Sequence, residues 1–481
     1  MTLLVAALLA ADTLVVGVLE GPASLDPHRA TDLVSAAVAV NVCEPLVRYR
    51  DDGSRPEGAL AAAWATLDSR TWTFTLREGV RFHDGRAFDA DAVVANLARL
   101  RRERGFEAAA ARLGPAHVSV TLPQPNAALL ATLSQPYFCM LSPASFAADG
   151  PRLVGTGPFR LDSAAPGEIL LVRHRSPGGA PPRLRRVLFR RLPSEEALGA
   201  GLAAGTVDVS LSLRPDTVAR VQGHPGVALQ SRTGLNLAFL SLNNERGPLR
   251  EPLVRQAVAR SIDREGLVRE VLGGHGEPAR NPLPPALWGY GRLTRALPYD
   301  PDGARRLLAR AGHASGVEAT LLTVDAPRPY LPTPLRLAAR VRDDLARAGV
   351  RLRLVQAPSW PEYLRRATEG DYDLALLGWE ADTMDPNDFL SVLLSSAAVG
   401  TTNRSRYRSR AMDALLEQAR HGTNQAERRR RYDEAQELFQ KDMPWVPLYH
   451  AAVFTAYRRT LRGLTVGPTG IMRFDRVWKD E

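Results

Sequence analysis

Residues 335–355 (LRLAARVRDDLARAGVRLRLV) contain the alternation that decides the fold of this chain. Residues 335–348 repeat apolar side chains with the period of an α-helix, and residues 351–355 have the pattern of a short strand. Further strand patterns at residues 318–324 and 372–378 extend the alternation in both directions. Helices between mainly buried strands predict a doubly wound sheet, in which ligands bind beyond the ends of the strands.

The rest of the chain has the same mixed order of helices and strands. Residues 13–19 (TLVVGVL) and 71–76 (TWTFTL) have strand patterns, and Asp89 can cap a helix after the second of them. Further helical patterns occur at residues 195–204, 253–272, 302–311, 363–369 and 412–440, the last with a break at Gly422. We therefore predict an α/β fold.

The composition is that of a folded globular protein. The chain has 481 residues, of which 45% are apolar and 24% charged, and these values exclude a disordered or collagen-like chain. The net charge of +10 arises from 62 basic and 52 acidic residues, and only Lys441 and Lys479 are lysines. Because the arginines are spread among acidic residues, without a basic tract interleaved with aromatic residues, we do not expect nucleic-acid binding.

The N-terminal segment, residues 1–11 (MTLLVAALLAA), has the apolar core of a secretory signal. No Lys or Arg precedes Arg29 and no cysteine follows for a lipid anchor, so we interpret the segment as a truncated leader remnant. No stretch reaches the roughly 18 to 20 apolar residues that a transmembrane helix needs. We expect an exported, periplasmic or extracytoplasmic protein that does not span the membrane.

The sequence lacks the common signatures of catalysis and metal binding. It has no GxSxG, HExxH, Walker or GxGxxG motif, and its nine histidines occur singly, so we expect no enzyme, metal or cofactor. Cys43 and Cys139 could form one disulfide, but buried thiols are the commoner state, and the sequence leaves their pairing open. Residues 428–431 (RRRR) lie in a helical pattern, which favours a solvated helix face.

Several ordered segments resemble the extracytoplasmic solute-binding proteins of ABC importers, the peptide and nickel family (family 5). They are residues 25–28 (LDPH), 44–47 (EPLV), 72–88 (WTFTLREGVRFHDGRAF), 155–159 (GTGPF), 240–244 (LSLNN), 254–257 (VRQA), 261–263 (SID), 299–301 (YDP) and 444–449 (PWVPLY). The similarity spans nearly the whole chain after the leader. Within the family the sequence is most similar to dipeptide-binding proteins.

The resemblance implies a two-lobed, type II periplasmic-binding-protein fold with the ligand in the cleft between the lobes. We expect a discontinuous lobe I (residues 12–38, 153–241 and 450–481), an inserted subdomain (residues 39–152) and lobe II (residues 242–449). The lobes would close around a dipeptide or short peptide, and the closed form would deliver it to the ABC permease in the membrane. We expect a monomer without catalytic activity.

The resemblance also implies which residues contact the ligand. In the dipeptide binders an Arg-Pro-Tyr element gives an arginine to the peptide's carboxylate, and a Gly-Trp-x-x-Asp element gives an aspartate to its ammonium. A guanidinium and a carboxylate suit those two charges, because charge-assisted hydrogen bonds are about twice as strong as neutral ones. The implied ligand-binding residues are Thr31, Asp32, Leu33, Arg328, Pro329, Tyr330, Trp379, Glu380, Ala381 and Asp382. Asp32 and Leu33 depart from the small residues expected there.

Each anchor also has a purely structural interpretation. Arg328 can be an exposed loop arginine, Asp382 a turn or N-cap residue, and Trp379 a core residue. Since a fold does not fix its ligand, a nickel chelate, a longer oligopeptide or an opine remains an alternative. A carboxylate-based hydrolase using Glu380 and Asp382 is a more distant alternative, because residues i and i+2 of a strand point to opposite faces.

Overall fold

The chain forms two compact units in the computed structural model. Unit 1 runs up to Arg232 and resumes at Val453, and unit 2 runs from Thr233 to Ala452. The leader predicted at residues 1–11 lies outside the described residues. The structure describes residues 12–146, 153–175, 181–292 and 294–480.

Unit 1 is built from short strands and a few helices. Its helices are α1 Leu33–Val42, α2 Ala90–Arg104, α3 Leu129–Leu133, α4 Glu195–Ala204 and α5 Pro215–Val221. Its strands up to the first crossing are β1 Thr13–Val18, β2 Val47–Tyr49, β3 Pro56–Gly58, β4 Ala61–Thr66, β5 Thr71–Leu76, β6 Ala109–Gly114, β7 His117–Thr121, β8 Phe159–Ala165, β9 Glu168–Arg173, β10 Arg186–Arg191, β11 Val209–Ser210 and β12 Val227–Thr233.

Two sheets with separate apolar cores organise unit 1. The central sheet has the order β11-β1-β10-β9-β8, with β1 parallel to β10, and its core includes Leu14 and Phe189. The second sheet has the order β4-β5-β7-β6, and its core includes Trp72, Phe74 and Leu97. The predicted strand at residues 71–76 is confirmed as β5, and its alternating pattern buries one face of this sheet.

Unit 2 contains most of the described helices, including the longest, Gln425–Asp442. They are α6 Pro252–Ser261, α7 Arg264–Val271, α8 Pro301–Arg310, α9 Pro334–Arg347, α10 Trp360–Glu369, α11 Asn387–Leu394, α12 Arg410–His421 and α13 Gln425–Asp442. The strands are β13 Asn236–Leu242, β14 Gly276–Pro278, β15 Val317–Val324, β16 Val350–Ala357, β17 Leu374–Glu380 and β18 Trp445–Arg458. Strand β18 ends in unit 1, which then adds β19 Leu461–Arg462 and β20 Trp478–Lys479.

The sheet of unit 2 confirms the predicted α/β alternation. Its strand order is β16-β15-β17-β13-β18. Strand β15 is parallel to both of its neighbours, with Val317 opposite Val350 and Leu321 opposite Leu374. Strand β13 is antiparallel to β17 and β18. Helices α9 and α10 connect the parallel strands, as crossover helices do in doubly wound sheets.

The chain passes between the two units twice. Strand β13 pairs with β17 along its whole length, from Asn236 opposite Glu380 to Leu242 opposite Leu374. Because this pairing places all of β13 in unit 2, the chain crosses between Arg232 and Thr233. The return passage follows Ala452.

The helix predicted at residues 253–272 is two helices, α6 and α7. The break occurs at Ile262 and Asp263, where the Asp263 carboxylate accepts the backbone N–H of Gly266 at 2.9 Å and caps α7. The apolar period continues across the break, so periodicity alone predicted one helix. An N-cap aspartate satisfies the first amides of the new helix.

Cys43 and Cys139 form a disulfide, a pairing that the sequence left open. The two cysteines are 96 residues apart in sequence, and both are fully buried. The bond joins the residue after α1 to the residue after the short turn Pro136–Phe138. A disulfide is typical of proteins that mature in an oxidising compartment, in agreement with the expected export.

The predicted solvated face at residues 428–431 is wrong for its first arginine. Arg428 is only 6% exposed, and its two terminal nitrogens donate to the two carboxylate oxygens of Asp385 at 2.8 and 2.7 Å. Arg429 and Arg430 are exposed, as predicted. Successive helical residues point in different directions, so one arginine of the run faces the core while its neighbours face solvent.

His28, in the LDPH segment that resembles the family, takes part in a buried network of hydrogen bonds in unit 1. Arg99 donates to His28 Nδ1 at 2.9 Å and to Asp26 Oδ1 at 2.9 Å, and His28 Nε2 donates to the carbonyl of Cys139 at 2.9 Å. Burial lowers the pKa of His28, and that of His83 and His450, to about 4. The folded chain therefore keeps these three imidazoles neutral well below the usual histidine pKa.

We expect the folded chain to lose stability as the pH falls from about 6.5 to about 4. The unfolded chain takes up protons on these imidazoles near pH 6.5, whereas His28, His83 and His450 resist protonation in the folded chain until about pH 4. Each of the three histidines should lower the free energy of unfolding by about 1 to 3 kcal/mol across that pH window. Urea denaturation at pH 7.5, 5.5 and 4.5 measures the loss.

Matched variants assign this loss to buried histidines. A His450→Asn variant should show a weaker dependence on pH than the parent chain, whatever its absolute stability. The corresponding change at His117, which is exposed, should leave the dependence unchanged. A free energy of unfolding that stays constant between pH 7.5 and 4.5 would contradict the assignment.

Candidate functional site

The carboxyl ends of three parallel strands define one edge of the sheet in unit 2. Strands β16, β15 and β17 are adjacent and run in the same direction, so the segments that follow them begin at the same edge. The segment after β15 contains Arg328 and Tyr330, the one after β16 begins α10 at Trp360, and the one after β17 contains Asp382. The sheet thus brings together two elements that are about fifty residues apart in sequence.

Arg328 is held at this edge by a tight turn and an aromatic ring. Its backbone N–H donates to the carbonyl of Leu331 at 3.0 Å, and the N–H of Leu331 donates back at 2.9 Å. The Arg328 guanidinium lies 4.2 Å from the ring centre of Trp360. A cation over an indole face is attracted by the ring quadrupole, and the stacked face leaves the nitrogens at the guanidinium edge able to donate hydrogen bonds.

Tyr330 packs against the strand that leads to Asp382. A Cβ atom at Gly378 would lie 2.1 Å from Cδ2 of the Tyr330 ring, so only glycine fits beneath the ring. Burial raises the pKa of Tyr330, while the charge of Arg328 lowers it and that of Glu380 raises it. The Arg-Pro-Tyr and Gly-Trp-x-x-Asp elements are therefore in direct contact.

The segment around Asp382 contains a second carboxyl group. The backbone N–H groups of Asp382 and Thr383 donate to Oδ2 of Asp388 at 2.8 and 2.9 Å. Burial, and next the charge of Asp382, raise the pKa of Asp388 to about 6. The Asp382 side chain is exposed. A cation bound at Asp382 would favour the ionised form of Asp388, so the two carboxylates form an anionic end of the site.

The remaining predicted residues of unit 2 surround these anchors. Glu380 ends β17 opposite Asn236 and is exposed, and the backbone N–H of Ala381 donates to the carbonyl of Leu235 at 2.8 Å. Trp379 is half-buried and Pro329 is exposed.

The predicted residues Thr31, Asp32 and Leu33 lie in unit 1. Thr31 and Leu33 are exposed. The carboxylate of Asp32 caps α1, since it accepts the backbone N–H of Ser35 at 2.9 Å, and it also accepts the N–H of Ala23 at 3.0 Å. A carboxylate with these donors stabilises the loop as an N-cap.

Sequence reasoning missed Trp360 and Asp388. Trp360 begins α10, directly after β16, so its place at the carboxyl edge of a predicted parallel strand was the available signal. Asp388 lies six residues after Asp382, in a stretch whose sequence has only the pattern of a turn. Neither residue belongs to a recognisable motif. Trp360 contacts Arg328, which is distant in sequence, and Asp388 accepts hydrogen bonds from the backbone of a loop.

No group of three or more His, Cys, Asp or Glu residues within the described ranges could hold a metal ion. The helices there also include none with the length and apolarity that a membrane span requires. The charged groups at the sheet edge are a guanidinium on one element and carboxylates on the other.

Comparisons with known proteins identify relatives along almost the whole chain. Residues 55–401 match the family model described as bacterial extracellular solute-binding proteins, family 5 middle. Heme-binding protein A of Haemophilus influenzae is 32% identical, with 92% of this chain and 88% of that protein covered. The dipeptide-binding protein of Escherichia coli is 28% identical, with 98% and 96% covered. The structure of HbpA2 from Haemophilus parasuis superposes with a TM-score of 0.93 at 26% identity, covering 98% of this chain and 100% of that chain.

Proposed function

We propose, because this chain belongs to the bacterial extracellular solute-binding proteins of family 5, that it captures dipeptides and other short peptides for an ABC importer. It would act outside the cytoplasmic membrane as a monomer, without turning over its ligand, and deliver the peptide to the permease. The E. coli dipeptide-binding protein, similar over 98% of this chain, supports the peptide as ligand.

The observation that carries the proposal is the pair of opposite charges at one sheet edge. The guanidinium of Arg328 is positioned over Trp360 at 4.2 Å, and Asp382 lies on the segment that follows the neighbouring parallel strand. A free dipeptide is a zwitterion and needs one partner for each end. Arg328 would hold the carboxylate through two parallel hydrogen bonds, and Asp382 would accept from the ammonium. Their fixed spacing would select peptide length.

We also propose that closure of two lobes completes binding. Lobe II would correspond to unit 2 and lobe I to unit 1, with residues 39–152 as an inserted subdomain that has its own apolar core. The segment with Thr31, Asp32 and Leu33 would contribute from lobe I. A ligand can shift such an equilibrium only through contacts that exist in the closed state. The two strands that cross between the units, β12 and β18, are the candidates for the hinge.

A second candidate ligand is haem, because one relative that is 32% identical is a heme-binding protein. Haem iron in proteins is held by His, Cys, Met or Tyr. Tyr330 is one side chain of that kind at the sheet edge, but burial raises its pKa, which opposes the phenolate form that iron prefers. The charge pair of Arg328 and Asp382 favours the peptide, since haem has carboxylates but no ammonium.

Calorimetry of the purified chain with a panel of ligands tests the proposal. Ala-Ala should bind with micromolar or tighter affinity and should not be hydrolysed during the titration. Acetyl-Ala-Ala and Ala-Ala-amide should each bind about 30-fold to several thousand-fold more weakly, because each lacks one charge and leaves its partner in the site uncompensated. Tetra-alanine should also bind more weakly, since on this proposal the two anchors would hold the ends of a shorter backbone.

Two further ligands, haemin and nickel with a polycarboxylate chelator, complete the panel and separate the alternatives. Binding of haemin together with no response to Ala-Ala would overturn the peptide proposal in favour of haem. Equal binding of capped and uncapped dipeptides would show that the charge pair does not recognise the termini. A response only to nickel with a polycarboxylate chelator would assign the chain to the nickel-chelate binders of the family instead.

A further inference from the structure

We propose that His83 and His174, in unit 1, form a binding site for one divalent transition-metal ion of the copper and nickel class. The two imidazole rings are 4.6 Å apart, centre to centre, at an interplanar angle of 55°. The residues are 91 positions apart, on the loop before α2 and just after β9. This site is independent of the peptide ligand and of the residues in unit 2.

The first argument is the hydrogen bonding of His83. Its Nε2 lies 2.9 Å from the carbonyl oxygen of Gly157. A carbonyl can only accept, so Nε2 carries the proton and Nδ1 presents its lone pair. Nδ1 is buried and has no hydrogen-bond partner among the described residues. A backbone carbonyl that fixes the tautomer of a histidine, with the other nitrogen directed elsewhere, is the usual outer-shell arrangement of a metal-ligating histidine.

The second argument is the position of His174. Its backbone is anchored by a hydrogen bond from its N–H to the carbonyl of Pro158 at 2.8 Å, next to the segment that binds His83. Its ring is half-buried, so an ion can reach it from solvent. Ring packing alone would account for the distance but would leave the buried lone pair of His83 without a donor, and a bound cation supplies what that nitrogen lacks.

The distance between the rings also indicates a coordination geometry. A metal lies about 2.0 to 2.1 Å from each ligating nitrogen and therefore roughly 3.2 Å from each ring centre. If each ring points one nitrogen at the same ion, two rings with centres 4.6 Å apart subtend an angle of roughly 90° at the metal. Adjacent ligands at a right angle suit the square-planar or tetragonal sites of Cu²⁺ and Ni²⁺ better than tetrahedral Zn²⁺. Water or a small external ligand would occupy the other positions.

The surrounding charges permit a cation here. The charge of Arg160 opposes a cation at both rings, and the weaker effect of Asp84 favours one at His83. The Arg160 residue is exposed, and its long side chain can move its charge into solvent. The carboxylate of Asp84 accepts the hydroxyl of Ser142 at 2.6 Å, which holds it near the site.

The test is metal titration of the full chain, prepared without a polyhistidine tag. Isothermal calorimetry with CuCl₂ and with NiCl₂, in the presence of glycine as a competing chelator, should show one strong site for each metal. The electron paramagnetic resonance spectrum of the Cu²⁺ form should show two imidazole nitrogens. His174→Ala should weaken Cu²⁺ binding at least about 10-fold, since even the loss of an outer-shell partner typically costs 10- to 100-fold.

A matched control keeps the test specific. His117→Ala removes an exposed histidine of the same unit and should leave both the affinity and the spectrum unchanged. His174 is half-buried, so its replacement should leave the fold intact, which far-ultraviolet circular dichroism verifies. Cu²⁺ binding of unchanged strength in His174→Ala, an equal loss in His117→Ala, or a spectrum with a single imidazole nitrogen in the parent chain would overturn the proposal. None of these results depends on whether the chain binds peptides.

Discussion

Replacing Arg428 with alanine is expected to lower the free energy of unfolding by about 3 to 5 kcal/mol, the range for breaking a buried ion pair. Arg428 and Asp385 are 6% and 2% exposed, and two parallel hydrogen bonds join them. Nε of Arg428 also donates to the carbonyl of Ala419 at 2.8 Å, and a terminal nitrogen contacts the Tyr432 hydroxyl at 3.0 Å. Without the guanidinium, the Asp385 carboxylate remains buried with its countercharge gone.

Urea denaturation at pH 7 measures this effect, and two variants control it. Arg430→Ala removes an exposed arginine two residues away on the same helix and should change the free energy of unfolding by at most about 0.5 kcal/mol. A double variant, Arg428→Met with Asp385→Asn, should recover part of the loss because it leaves no buried charge. A loss below about 1 kcal/mol in Arg428→Ala would show that the pair contributes no more than a surface ion pair.

The local elements of the fold follow from the sequence where one pattern is uninterrupted. The strand at residues 71–76 and the helix at residues 195–204 are found with the predicted bounds. Strand β18 was not predicted, because Pro447 lies within it and a proline usually argues against an interior strand. The prolyl nitrogen has no hydrogen to give to β13, and a register shift in that pairing falls just beside Pro447.

The features that the sequence did not predict are contacts between residues that are distant in sequence. The pairing of Arg428 with Asp385 and the disulfide of Cys43 with Cys139 span 43 and 96 residues, and no local pattern fixes such distances. The sequence pattern of four consecutive arginines predicts exposure to solvent even when one of the four faces the core. Periodicity predicts that a helix has a buried face, but burial of a charge depends on a partner that only the tertiary structure supplies.

The candidate site was predictable to the extent that it depends on sheet topology. Two segments that follow adjacent parallel strands must begin at the same edge, so the meeting of the Arg328 and Asp382 segments follows from the α/β pattern. The resemblance to dipeptide binders supplied the choice of residues. The stacking of Arg328 on Trp360 and the hydrogen bonding of Asp388 to the Asp382 segment depend on loop conformation, which the sequence pattern does not encode.

Replacing either proposed anchor should weaken dipeptide binding by about 2 to 5 kcal/mol, or roughly 30-fold to several thousand-fold in affinity. Arg328→Gln keeps a flat polar group near Trp360 but removes the charge that would hold the carboxylate. Asp382→Asn keeps the shape of the side chain and the backbone hydrogen bond to Asp388, and removes the charge that would hold the ammonium. Calorimetry with Ala-Ala measures both losses, and thermal melting without ligand should change little, since both positions are accessible to solvent.

The pattern of losses across capped ligands assigns each residue to one end of the peptide. Asp382→Asn should bind Ala-Ala and acetyl-Ala-Ala about equally, because the ammonium no longer matters once its partner is neutral, while Arg328→Gln should do the same for Ala-Ala and Ala-Ala-amide. Arg336→Ala and Asp343→Asn, at exposed positions of α9, serve as charge-matched controls and should bind Ala-Ala like the parent chain. A variant that melts at a much lower temperature yet binds normally would show a structural residue. If both variants lose the same affinity for capped and uncapped dipeptides, the two charges support the structure of the site and do not contact the ends of the peptide.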